Sequence, residues 1–210
     1  ASRLDFNISK NSLKQSQETV KQWPWKSSET HQKMIFPPGL GIRIRMELAE
    51  IYKQGNLNNV ISIIHKWKII SILNENIKVD VRFLRGLNWI KKLKGNYMLY
   101  LLKDTGDIKT AGRRFLINND EIKILEDYSN IKKILKINQS KFIHYSPSSW
   151  TEFIENENLN DETVKLLICD GGPYWRNFFK WLFIYKFKKS KKDGEILKKE
   201  GWEPGKEMGQ

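Results

Sequence analysis

This sequence of 210 residues predicts an all-α fold of about ten helices. Three observations predict it. Apolar residues recur at helical spacing through most of the chain, and Asn, Ser and Gly stand where such runs begin and end. No stretch alternates apolar and polar residues between hairpin turns, which is the pattern a half-buried strand needs.

In chain order, Ser9 is placed to cap a first helix through "KNSLKQSQETVKQW". The stretch "WPWKSSETHQKMIFPPG" (23–39) breaks the periodicity with three prolines and reads as a connector. "LGIRIRMELAEIYKQG" (40–55) is the clearest amphipathic helix, with Ile44, Leu48 and Ile51 on one face and Gly55 as its stop. Asn56 or Asn58 caps the next, where Val60, Ile63, Ile64 and Trp67 recur at helical spacing. In "DVRFLRGLNWIKKLKG" (80–95) the apolar face is Phe83, Leu87 and Ile90, with Gly86 tolerated at about 1 kcal/mol.

After "NYMLYLLKD" and "DIKTAGRRFLI" comes a long helix within 118–137, capped by Asn118 or Asn119. "SPSSWTEFIENENL" starts a helix with Ser148 or Ser149 as its cap. "NDETVKLLICDGG" is a short helix between Asn160 and Gly171. The most aromatic stretch, "PYWRNFFKWLFIYKF" (173–187), reads as a buried helix. Most of the eight Trp are expected in the core. The ending "EGWEPGKEMGQ" reads as helix stop, turn and helix start, and predicts a chain cut from a longer one.

Composition narrows the function classes. Lys and Arg outnumber Asp and Glu by 37 to 24, a net charge of +13 that points to a polyanionic partner. The charge is segregated: "ENENLNDE" (155–162) is acidic, whereas "FKKSKKDGEILKK" (187–199) is dense in Lys. No apolar run reaches the about 18 residues of a membrane span, and no signal-peptide profile opens the chain. With Cys169 as the single cysteine there is neither a disulfide framework nor a thiolate zinc site, so a cytoplasmic protein is expected.

Catalytic patterns are missing. There is no Asp-x-Asp for sharing divalent ions and no phosphate-cradling Gly-rich loop after a strand. Glu155 and Glu157 read as solvated loop residues, His65 as a packed histidine and Cys169 as a small buried residue. No catalytic residue and no metal ligand is assigned.

Three segments together resemble the bacterial-type tRNA nucleotidyltransferases (CCA-adding enzymes) and the related poly(A) polymerases. "GIRIRMELAEIYKQGNLNNVISIIHKWKIISIL" (41–73) is similar to the family's E-R-I-R-x-E-L helix and the helix after it. "DGEILKKEGWEPGKEMGQ" (193–210) resembles its tail element G-x-x-L-x-x-x-G-x-x-P-G-x-x-(I/L/M)-G. "ASRLDFNIS" resembles the stretch after its nucleotide-reading E-D-x-x-R helix, with Arg3 at the arginine of A-A-R.

The resemblance implies a helical neck, body and tail without the catalytic head. On that division residues 1–75 are neck-like helices with a Pro-rich connector, 76–172 the body, and 173–210 the start of the tail. Arg43, Arg45 and Glu47 match E-R-I-R-x-E-L and would brace the nucleotide pocket, while Ile42 stands where the family has Glu. Arg43 and Glu47, four apart on one face, are expected to form an ion pair worth about 0.2–0.5 kcal/mol. Gly201, Pro204, Gly205 and Gly209 match the tail turn.

The partner implied is tRNA, held at its elbow through phosphates and shape, or another RNA. Arg113, Arg114, Lys188, Lys189, Lys191 and Lys192 are the candidate contacts. Mg²⁺ with ATP and CTP would serve the head, and no cofactor is assigned to this chain, which is expected to be inactive alone. Two alternatives remain: the same region of a poly(A) polymerase or A-adding enzyme, or a helical RNA- or protein-binding module with no enzymatic parent.

Overall fold

Helix caps written into the sequence set most of the element boundaries in a computed structural model of the chain, which describes residues 7–22 and 39–188. Among them are eleven α-helices, two short 3₁₀ turns and no strand. Helix α1 spans Lys10–Gln22, α2 Leu40–Lys53, α3 Leu57–Lys66 and α4 Val81–Lys92. Then come α5 (Tyr97–Leu102), α6 (Ile108–Phe115), α7 (Asn119–Ile137) and α8 (Gln139–Ile143). Last are α9 (Pro147–Asn156), α10 (Asp161–Asp170) and α11 (Trp175–Phe183).

The caps have a clear physical cause: a side-chain oxygen satisfies an N–H that has no partner inside the helix. Ser9 Oγ accepts from the Ser12 N–H, and Asn160 Oδ1 from that of Thr163. Asn118 forms a capping box with Glu121 at the head of α7. Asp80, Asn96 and Asp107 cap α4, α5 and α6. Two expectations need correction. Asn56 occupies the N-cap of α3 without a side-chain cap bond. Ser146, not Ser148 or Ser149, caps α9, because Pro147 takes the first helical turn, where its missing N–H loses nothing.

Among the described residues one hydrophobic core runs from Leu48 to Leu182 and draws on residues from before 76, from 76–172 and from after 172. Helix α10 lies at its centre against α4, α5, α7 and α11. Its residues Val164, Leu166, Leu167, Ile168 and Cys169 are all buried. In α5, Met98, Leu99, Tyr100, Leu101 and Leu102 are buried without exception. A helix apolar on every side has to be surrounded, and α5 is; α10 keeps Asp161, Glu162, Lys165 and Asp170 only partly buried.

The stretch at 173–187 is amphipathic instead, contrary to the buried helix expected there. Phe178, Trp181 and Leu182 face the core, whereas Phe183, Ile184 and Phe187 are exposed. Aromatic density marked a packing surface on one side only. Among the described tryptophans, only Trp150 and Trp181 are buried. Trp150 is ringed by Phe142, Tyr174 and Phe178 at centroid distances of 5.3, 5.3 and 5.5 Å. In α3 the deepest side chains are Leu57 and Ile61, and His65 is exposed rather than packed, because the buried stripe runs one position away from the expected one.

Two glycines allow helices to cross closely. A Cβ on Gly41 of α2 would overlap the Arg114 carbonyl of α6. One on Gly86 of α4 would overlap the Tyr100 hydroxyl and the Cys169 carbonyl of α10.

Candidate functional site

The motif helix α2 is fastened by Arg45. Its guanidinium donates to the Phe115 and Leu116 carbonyls at 3.1 and 2.5 Å, closing the C-terminus of α6. The same group pairs with Glu121 at 3.3 Å. A cation at a helix C-terminus interacts favourably with the partial negative charge of the last carbonyls. Glu121 in turn accepts from the Asn96 amide at 2.8 Å and from the Asn118 N–H at 3.1 Å. One carboxylate therefore ties together α2, the start of α5 and the start of α7.

The other motif residues take no part in this clamp. Arg43 and Glu47 are exposed, and among the described residues they form no ion pair with each other. At an exposed site the gain from such a pair barely exceeds the entropy of holding two long side chains. We expect Glu121→Ala to lose about 1–2 kcal/mol of stability in urea unfolding, through the lost cap and charged hydrogen bonds. Arg43→Ala should stay within about 0.5 kcal/mol of the parent.

The candidate RNA contacts are not gathered by the described structure. Arg113 is exposed on α6, but Arg114 is half-buried where α6 passes under Gly41. Lys188 lies 5.4 Å from the Tyr185 ring centre. Lys189, Lys191, Lys192, Gly201, Pro204, Gly205 and Gly209 lie outside the described residues.

A cleft that no local motif announced lies between the starts of α4 and α11, the end of α10 and the second half of α7. It encloses about 690 Å³, within the size range of small-ligand sites. Phe83, Tyr174 and Phe178 line it as buried rings, with Trp175 half-buried beside them. Five cations also line it: Lys78, Arg82, Lys103, Lys132 and Lys136.

The carboxylates in this cleft are already engaged. Lys103, with its side chain only 6% exposed, reaches Asp170 at 2.6 Å and Asp104 at 2.5 Å. Lys132 closes the network at 3.1 Å from Asp104 and 3.4 Å from Asp170. Arg82 donates to the Asp170 backbone carbonyl at 2.7 Å. Burial pushes the Asp170 carboxyl up, but the Lys103 ammonium, its hydrogen bond, Lys132 and Arg82 outweigh that and hold it below its ordinary range. Lys78 and Lys136 are exposed and have no carboxylate partner among the described residues.

The only trace of this cleft in the sequence is Lys132 and Lys136, four apart and so on one face of α7. Its other members come from separated segments.

Cys169 has no nucleophilic character: burial, with the nearby Glu162 charge, pushes its thiol up to about 12. Among the described residues no three His, Cys, Asp or Glu side chains converge where they could hold a metal ion. No helix among the described residues is long and apolar enough to cross a membrane. Set against protein-family models, curated proteins and solved structures, the chain gives no match.

Proposed function

We propose that this chain is the RNA-binding helical region of a tRNA nucleotidyltransferase, whose head adds CMP and AMP to tRNA 3′ ends. The carrying observation is the Arg45 clamp. The arginine at the second basic position of the E-R-I-R-x-E-L match is the one that seats α2 on α6 and α7. A motif helix with a bracing task needs such an anchor. The net charge of +13 and the cationic cleft add to the reading, because phosphate contacts supply most of the affinity in RNA binding.

On this reading Mg²⁺, ATP and CTP belong to the head. The residues described here hold RNA and keep the nucleotide-reading helices in place. Incubated with ATP, CTP, Mg²⁺ and a tRNA lacking its 3′ end, the chain alone should give no extension, and any added nucleotide overturns that part of the reading.

The binding test is a titration against that truncated tRNA and a single-stranded A oligomer at two salt concentrations. We expect tRNA to bind at least about tenfold more tightly, with affinity falling steeply as salt rises. Equal, weak binding to both would make the positive charge compositional and remove the RNA reading. Preference for the A oligomer would move the assignment to the poly(A) polymerase branch.

A further inference from the structure

We propose that the cleft between α4, α7, α10 and α11 is a binding site for one nucleoside phosphate, its base against Trp175 and its phosphate at Lys78 and Lys136. The lining combines the two chemistries such a ligand needs. Trp175 offers a half-buried ring on which a flat base stacks, whereas Tyr174 and Phe178 are buried against Trp150. Stacking of this kind is worth about 1–3 kcal/mol per base and does not depend on the base's identity. Lys78 and Lys136 also line the cleft, exposed and in no ion pair among the described residues.

Two of the three acidic groups of the cleft are neutralised; the third, Asp80, is exposed and caps α4 by accepting the Phe83 N–H. Asp104 and Asp170 are held by Lys103 and Lys132 in a network that is complete without a ligand. The lining as a whole carries five cations against Asp80, Asp104 and Asp170, a surplus of positive charge. At about 690 Å³ the space admits a nucleotide-sized molecule, whereas an α-helix is about 10–12 Å across with its side chains. Gln139 stands exposed at the edge and offers an amide to a base.

The ligand's chemistry is the same whether it is a free nucleotide or an unstacked nucleotide within an RNA. The second source rests on the RNA-binding reading, and the site itself does not.

The experiment is isothermal titration of the full chain with AMP, adenosine and inorganic phosphate, followed by AMP displacement with the truncated tRNA. We expect saturable AMP binding that is at least tenfold weaker for adenosine and for phosphate alone. Trp175→Ala should weaken AMP at least tenfold, and Lys78→Glu with Lys136→Glu should do the same. These lysines are exposed, and unchanged circular dichroism will show that the variants fold.

Displacement of AMP by tRNA makes the occupant an RNA nucleotide, and no displacement makes it a free nucleotide. Either result supports the site. Absence of AMP binding at millimolar concentration overturns the proposal, as does AMP binding unaffected by folded variants. AMP binding without tRNA binding would keep the site and remove the RNA reading, and the converse would do the opposite.

Discussion

Gly86→Ala will destabilise the protein by about 3 kcal/mol, the sum of an overpacked crossing and a strained buried hydrogen bond. Helix propensity alone forecasts the opposite sign, since Ala is favoured over Gly by about 1 kcal/mol inside a helix. The difference lies in what surrounds the position. The added methyl would overlap the Tyr100 hydroxyl and the Cys169 carbonyl. Tyr100 is 1% exposed, and its hydroxyl donates to the Phe83 carbonyl at 3.0 Å, so it has no free space to turn into. Helix α10 cannot retreat either, because α7 and α11 pack against it.

In a chain of this size the loss should lower Tm by roughly 6–12 °C. Adding Tyr100→Phe removes the clashing hydroxyl and should recover part of the loss, which a double-mutant cycle measures. A Gly86→Ala variant as stable as the parent would show that α4 and α10 do not cross this closely.

The second large effect is expected at Asp170. Asp170→Asn leaves the Lys103 ammonium buried with only the 41% exposed Asp104 as its carboxylate. Removing one partner of a buried pair costs about 3–5 kcal/mol, and the remaining Asp104 places this case at about 3. The pH dependence has a definite sign. Asp170 titrates below its ordinary range in the folded protein, so its contribution is fully present above the unfolded aspartate value of about 3.9. It is lost as pH falls from there through the lower folded value.

Unfolding free energies of parent and variant should therefore differ by a constant amount above about pH 5, and converge at lower pH. A gap that persists undiminished to about pH 2 would show that the carboxylate's charge is not what stabilises the site. Lys103→Met tests the network from its other side, because an apolar side chain of similar length leaves no buried ammonium behind. It should be less damaging than Asp170→Asn.

Local signals in the sequence carried a good deal of this. The all-α class and the run of helices come from spacing alone, since a helix buries one stripe and the stripe repeats every 3.6 residues. Ser9, Asn118 and Asn160 cap where they were expected because capping is satisfied within three residues. Gly171 ends α10 at φ +66°, as the left-handed conformation requires. Arg45 stands out through a motif, and the clamp it forms lies on the helix that motif defines.

Tertiary structure decided what depends on residues far apart in the chain. Arg45 meets Glu121 across 76 positions, while its neighbours Arg43 and Glu47, equally prominent in the motif, stay in solvent. Lys103 and Asp170 are 67 residues apart, and no periodicity links them. Gly86 reads as a tolerated defect until α10 is placed against it. The cleft is assembled from pieces of α4, α7, α10 and α11, each ordinary alone. The sequence by itself determined which stretches are helical and where they start, because those interactions reach only one turn along the chain. Which helix is central, which charges are buried and where the cleft opens were left to packing, whose contacts span the whole chain.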